Sequence, residues 1–181
     1  MSDSILVTGG NGFVGSHIVK ELVKQNYKPI VLIRENSKIS RLKKSKSINI
    51  IRVSEYLDRN IVKQLKIFKP TSLIHCAWSG VLGLDRNNNM QNKNLDITEK
   101  SIKLAKFLGC SKWTGLGSHA EYGNLNIKID ELSDCKPTTL YGKVKLETGK
   151  KSLNLCKSYG ILGKWVRIFN TYGPNDNESW L

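Results

Sequence analysis

Residues 7–17 read VTGGNGFVGSH. An apolar run over residues 4–8 leads in and an amphipathic run over residues 14–26 leads out, so a cluster of glycines joins a strand to a helix. The glycines fit Gly10-x-Gly12-x-x-Gly15, or the same pattern begun at Gly9. Side chains are a hindrance at such a turn. One glycine lets the chain reverse sharply, and another lets backbone N–H groups approach a pyrophosphate at the helix N-terminus. The last lets the helix pack closely on the strand. With a strand before it and a helix after it, the stretch reads as a dinucleotide-binding turn.

The rest of the chain repeats the alternation. Strands are predicted at residues 28–34 (KPIVLIR), 48–54 (INIIRVS), 71–78 (TSLIHCAW), 110–118 (CSKWTGLGS) and 162–169 (LGKWVRIF); the fifth of the six is weakened by two glycines. Helices are predicted over 58–69 with Asp58 as N-cap, over 90–109 closed by Gly109, and from Pro137 and its threonines to Tyr159–Gly160. In the first helix Val14, Ile18 and Leu22 share the apolar face, flanked by Val19 and Val23. Continuous apolar strands alternating with helices predict an α/β fold, a doubly wound parallel sheet covered on both faces, in one domain over residues 1–181. Ligands of such sheets sit beyond the carboxyl ends of the strands.

Composition narrows the function classes. A hydrophobic fraction of 39% supports a core, and no apolar run reaches the roughly 18 residues of a membrane span. The start MSDSILVTGG lacks the basic lead and cleavage site of a signal peptide, so a cytoplasmic protein with no membrane partner is expected. Cys76, Cys110, Cys135 and Cys156 are far apart and read as reduced thiols, and neither they nor His17, His75 and His119 have metal-ligand spacing. The net charge of +14 comes from lysines spread along the chain, with one dense run at residues 41–47, RLKKSKS. That pattern suits a solvated surface or a groove for a phosphate-bearing small molecule better than a nucleic acid.

TGGNGFVG resembles the TGxxGxxG fingerprint of extended short-chain dehydrogenases/reductases, the NAD-dependent epimerase/dehydratase family that modifies nucleotide-sugars, and the resemblance runs from Ile5 to about Pro174. It implies a Rossmann fold whose C-terminal substrate lobe is largely absent from this chain. It implies cofactor contacts from Gly9, Asn11, Gly12, Phe13, Val14 and Gly15 of the turn. SEYLD is similar to the stretch beside adenine, giving Glu55 and Tyr56; HCAW, with Cys76, Ala77 and Trp78, is similar to the strand end along the cofactor; Asn94 matches an asparagine of the next helix. At the end of the second strand VLIRENSK places Arg34, with Ser37 and Lys38 close by. Arginine grips a 2′-phosphate with two hydrogen bonds, which favours NADP over NAD; Glu35 serving the ribose is the reading that favours NAD.

TTLYGKVKLE, residues 138–147, puts Tyr141 four positions before Lys145, on one helix face. A free phenol has a pKa near 10, and a nearby ammonium lowers it. Tyr141 is then the predicted acid/base, with Lys145 as its cation and a partner of the nicotinamide ribose. In GLGSHAEYG, Ser118 stands where the family has Ser or Thr in S-x-x-x-Y-G, and completes a catalytic trio that holds a substrate oxygen. Family 4,6-dehydratases follow that residue with Asp-Glu; this chain has His119 and Ala120, which argues against dehydration. RIFNTYGP resembles R-x-x-N-x-Y-G-P, where Asn170 is implied to meet substrate and Arg167 to be structural; His119 is a further substrate candidate. The expected activity is reduction of a nucleotide-linked 4-keto-6-deoxyhexose, in surface-polysaccharide biosynthesis. The alternatives are an epimerase working through a transient ketone, and a non-catalytic dinucleotide-binding module. The exposed edge where a second lobe packs favours a homodimer.

Overall fold

The computed structural model describes residues 4–42, 47–124 and 126–176, so most of the basic run at 41–47 lies outside the described residues. The elements run β1 (Ser4–Thr8), α1 (Phe13–Lys24), β2 (Lys28–Arg34), β3 (Asn49–Val53), α2 (Arg59–Ile67), β4 (Ser72–His75), α3 (Gln91–Leu108), β5 (Lys112–Ser118), α4 (Leu140–Ser158) and β6 (Leu162–Ile168). All six strands are parallel, in the order β3-β2-β1-β4-β5-β6. The strand order reverses between β1 and β4, the place where such sheets open a crevice at their carboxyl edge.

Local chemistry sets the helix ends. Asp58 caps α2 by accepting the N–H groups of Asn60 at 2.8 Å and Ile61 at 3.1 Å. Thr139 caps α4 through the Gly142 N–H at 3.1 Å, and a distant residue helps: the Asn87 side-chain oxygen accepts the Leu140 N–H at 3.1 Å. Gly109 closes α3 at φ +76, where a side chain would strain the backbone.

The two faces of the sheet are covered unequally. On one, α2, α3 and α4 pack over Leu6, Leu32, Leu73 and Trp113, with Ile102 of α3 set among them, all at most 1% exposed. Burying each such side chain contributes about 1.5–3 kcal/mol. On the other, α1 covers Val7, Val31 and Ile33, while the alternate residues of β6 face outward, with Leu162 57% and Val166 46% exposed. The expectation of cover on both faces therefore holds for β1 and β2 and not for β6 among the described residues. In α1 the buried residues are Gly15, Ser16 and Val19, and Val14, Ile18 and Leu22 are only half-buried. Gly15 and Ser16 take the inward face of the first turn because α1 there lies against the backbone of the glycine turn, and Val19 takes it one turn later.

The glycines of β5 have an equally local cause. Trp113 and Trp165 stack at 6.3 Å and 10° across β5 and β6. A Cβ on Gly115, Gly117 or Gly149 would lie 2.5–2.7 Å from atoms of the Trp165 indole. Three glycines on two elements thus form a slot for one indole. Replacing Gly149 by Ala gains about 1 kcal/mol of helix propensity but forces that rigid ring to move, at a cost of about 1–3 kcal/mol. Urea unfolding is expected to show Gly149→Ala less stable than wild type, and the same change stabilising in a Trp165→Ala background. Equal effects in both backgrounds would mean that the slot does not constrain position 149.

Candidate active site

At the carboxyl end of β1 the backbone turns at Gly9, φ +66, and passes so close to β4 that a Cβ there would lie 2.6 Å from the Ala77 nitrogen. Gly12 donates to the Gly9 carbonyl at 3.0 Å and serves as N-cap of α1, with Ser16 donating back to Gly12 at 2.9 Å. A Cβ on Gly15 would strike the Gly9 carbonyl. The first turn of α1 is thereby pressed onto the β1 end, with its N-terminal N–H groups directed into the crevice. Asn11 does not stand free there: its Nδ2 donates to the Lys38 carbonyl at 3.1 Å and ties the turn to the segment after β2.

Over this turn opens a cleft of ≈ 340 Å³, running from the end of β3 across β2 and β1 to β4 and α3. At its β2–β3 end lie Arg34, Ser37, Arg41, Glu55 and Tyr56. Arg52, which the sequence reading passed over, folds the segment after β2 by donating to the carbonyls of Arg34 at 3.4 Å, Glu35, and Ser37 at 3.1 Å. Glu55 is paired with Lys100 at 3.1 Å, and Lys100 with Asp96 at 3.0 Å. Cys76, Ala77, Trp78 and Asn94 line the other end. Asn94 is buried and exchanges hydrogen bonds with the backbone of Ser79, at 2.9 Å and 3.0 Å. Burial pushes the Cys76 thiol up to about 12, so it is not a nucleophile.

A polar ladder lies beneath the cleft. The Tyr56 phenol, beside Thr8, is pushed up to about 12 by burial. Thr8 Oγ1 lies 2.7 Å from His75 Nδ1, His75 Nε2 lies 3.2 Å from Thr98 Oγ1, and Thr98 donates to the Asn94 carbonyl at 2.7 Å. Since Thr98 spends its proton on that carbonyl, it accepts from His75 Nε2–H, which leaves Nδ1 to accept from Thr8. Burial holds His75 down to about 3, so the ring is neutral.

The trio converges beyond Trp78. Ser118 ends β5 and is 7% exposed, near Tyr141, which is 8% exposed on the first turn of α4; the Ser118 hydroxyl accepts the Ala120 N–H at 3.2 Å. Lys145 is 4% exposed one turn later. Its ammonium donates to the Leu116 carbonyl at 2.6 Å and sits 3.5 Å from the centre of the Trp78 ring. Burial raises Tyr141, opposed by the neighbouring Ser118 hydroxyl and by the Arg86 guanidinium, while burial lowers Lys145 to about 7. The cation over the phenol ring is Arg86, 4.5 Å from its centre.

Behind Ser118, Glu121 is fully buried. It accepts the Ser118 backbone N–H at 2.8 Å, Trp165 Nε1 at 3.0 Å and Arg167 Nε at 2.9 Å, which explains why Arg167 is structural. His119 stacks obliquely on Phe169 at 6.1 Å, and Asn170 is exposed. Of the cofactor candidates, Phe13, Val14, Gly15, Lys38, Tyr141 and Lys145 do not line the cleft. Phe13 lies edge-on to His17 at 5.3 Å, Gly15 acts through packing, and Lys38 offers its carbonyl to Asn11 rather than its ammonium to the cleft. The bare turn, the N–H groups above it and the elongated cleft fit a dinucleotide, and the cradle is one that added Cβ atoms would fill.

Residues 5–179 match the model of the NAD dependent epimerase/dehydratase family. Over 183 residues the chain is 30% identical to the UDP-glucose 4-epimerase of Halalkalibacterium halodurans, covering 96% of this chain and 52% of that protein. It is 28% identical to the UDP-N-acetyl-alpha-D-glucosaminuronate decarboxylase of Bacillus cytotoxicus, covering 98% and 57%. Among solved structures, the Thermus thermophilus UDP-glucose 4-epimerase in complex with NAD superposes with a TM-score of 0.83 at 25% identity, covering 96% of this chain and 57% of that one. The chain thus spans about half the length of these relatives. No helix among the described residues is long and apolar enough to cross a membrane.

The ladder makes a pH prediction. His75 in the folded protein binds its proton only near pH 3, whereas an unfolded histidine binds it near 6.5. The unfolded state therefore holds more protons between those values, and the stability owed to neutral His75 is complete above about 6.5 and falls as pH drops toward 3. Urea midpoints are expected to decline from pH 7 to pH 4, and His75→Gln to flatten that decline. An unchanged slope in the variant would contradict the assignment.

Proposed function

The chain belongs to the NAD dependent epimerase/dehydratase family, and on that premise we propose that it forms the cofactor-binding part of an epimerase that oxidises and re-reduces a ring carbon of a nucleotide-linked hexose. The observation that carries this reading is the convergence of Ser118, Tyr141 and Lys145 just beyond Trp78, a residue that lines the far end of a cleft beginning on the glycine turn. Gly9 and Gly12 would hold the diphosphate of the dinucleotide, Glu55 and Tyr56 its adenosine, and Trp78 with Lys145 the nicotinamide end. When bound, the dinucleotide supplies the hydride acceptor and donor.

The chain's own residues handle the proton. Ser118 both donates and accepts, so it can hold an oxygen that alternates between alcohol and ketone. Tyr141 takes the hydroxyl proton as the ketone forms and returns it afterwards. Trp78, edge-on to Tyr141 at 6.1 Å and 83°, narrows the space beside the phenol and limits water. His119 and Ala120, following Ser118, carry no carboxylate, so the proton work needed to expel water from a sugar is missing. The names of the relatives support epimerisation of a UDP-sugar with NAD.

A second reading, NADP-dependent reduction of a 4-keto-6-deoxyhexose, is favoured by Arg34 and Arg41 at the adenosine end of the cleft. The two separate cleanly in a full-length protein. UDP-glucose or UDP-N-acetylglucosamine is expected to interconvert with its 4-epimer without net change in reduced-nicotinamide absorbance. Tyr141→Phe is expected to lower kcat on the order of 10²–10⁴-fold. Stoichiometric loss of NADPH with a 4-keto sugar would establish the reductase instead. Dinucleotide binding with turnover of neither substrate type would leave a non-catalytic module.

A further inference from the structure

Three backbone carbonyls at the β2 end of the cleft converge on one side chain. Arg52 Nη1, reaching over from the edge strand β3, accepts none of the cleft's surface as its own but donates to the carbonyls of Arg34 at 3.4 Å, Glu35, and Ser37 at 3.1 Å. The Ser37 N–H donates to the Arg34 carbonyl at 3.0 Å, which closes residues 34–37 into a tight turn. One residue later the Lys38 carbonyl accepts Asn11 Nδ2 at 3.1 Å, so this turn is tied to the glycine turn as well. Arg52 is thus the clamp of a segment that the cleft uses and that Arg52 does not itself join.

The clamped turn brings positive charge to the cleft. Arg34, Ser37 and Arg41 line it there, and Glu35 does not. Among the described residues the cleft holds one acid, Glu55, and that carboxylate is paired with Lys100 at 3.1 Å. On the dinucleotide reading this is the adenosine end. A 2′-phosphate there has two guanidinium groups and a hydroxyl to meet. A carbonyl oxygen has the opposite preference: it accepts from a ribose hydroxyl and repels a phosphate. Three carbonyls released from Arg52 would therefore favour a 2′-hydroxyl over a 2′-phosphate.

Resting on the dinucleotide reading and on neither choice of sugar reaction, we infer that Arg52 is a positioning residue for ribose selectivity, which raises the affinity for a 2′-phosphorylated dinucleotide relative to its 2′-hydroxyl counterpart. It does so by holding the turn that presents Arg34 and Ser37, and by keeping three carbonyl oxygens engaged. Its effect runs through Arg34, so it depends on that side chain being present.

Dissociation constants for NADPH and NADH, read in the full-length protein by energy transfer from tryptophan to the reduced nicotinamide, test this. Arg52→Met is expected to weaken NADPH on the order of tenfold and NADH less than about threefold, with Arg52→Lys recovering most of the loss. Arg52→Gln serves where Arg52→Met does not fold. In an Arg34→Ala background, Arg52→Met is expected to weaken NADPH less than about threefold, because the group it positions is gone. Equal losses for the two cofactors would mean that Arg52 only supports the fold. That result, no loss at all, or an undiminished loss in the Arg34→Ala background overturns the inference while leaving the dinucleotide reading intact. A folded wild-type protein that binds neither cofactor would strike that reading and the inference with it.

Discussion

Everything functional in this molecule depends on one close backbone approach. The carboxyl end of β1 must lie against the start of α1 on one side and against Ala77 at the end of β4 on the other. No side chain fits in either gap. Because Gly9 and Gly15 fill neither, α1 reaches the crevice edge with its unpaired N–H groups exposed to it, and the cleft is open where strand order reverses. A β-carbon at either glycine would force the helix outward and remove the anion site together with the packing.

The reaction end is organised by a different balance, between aromatic bulk and buried charge. Glu121 and Arg167 form an ion pair in which the carboxylate is fully buried. Such a pair adds little net stability, but losing one partner costs about 3–5 kcal/mol because a buried charge is stranded. What it secures is geometry. One carboxylate oxygen fixes the backbone of Ser118 and the indole of Trp165, and that indole forms one wall around Lys145. The position of the serine and the environment of the lysine are thus set by the same buried oxygen, from a residue of the SHAEYG stretch that does not line the cleft.

Much of this was legible in the sequence because it is written locally. The six strands follow from apolar runs, Asp58 and Gly109 from cap chemistry, and the turn from its glycines between a strand and a helix. Eleven of the cofactor candidates read from sequence fall on the cleft: Gly9, Asn11, Gly12, Arg34, Ser37, Glu55, Tyr56, Cys76, Ala77, Trp78 and Asn94. What was missed acts across the fold. Nothing near Arg86 in sequence indicates that it will lie over Tyr141, and nothing near Arg52 that it will hold the turn after β2. His75 read as an ordinary strand residue because its two threonine partners come from β1 and α3. The glycines of β5 read as a weakness because the indole they accommodate belongs to β6. In the same way, helix spacing brings Tyr141 and Lys145 to one face, but the indoles around the ammonium come from other elements.

The central claim, that a dinucleotide diphosphate sits on the glycine turn, is tested most directly by calorimetric titration of the Gly12→Asp variant. Gly12 has φ −73 and ψ 176, which any residue adopts, and aspartate is a favoured helix cap there. An added Cβ would lie 3.3 Å from the Gly9 carbonyl, a contact that a small shift of the turn relieves, so the fold should hold while a carboxylate meets the diphosphate. The account predicts an unfolding temperature at or above that of wild type and NAD⁺ or NADP⁺ affinity reduced by at least about a hundredfold. Wild-type affinity in a folded Gly12→Asp protein would contradict it.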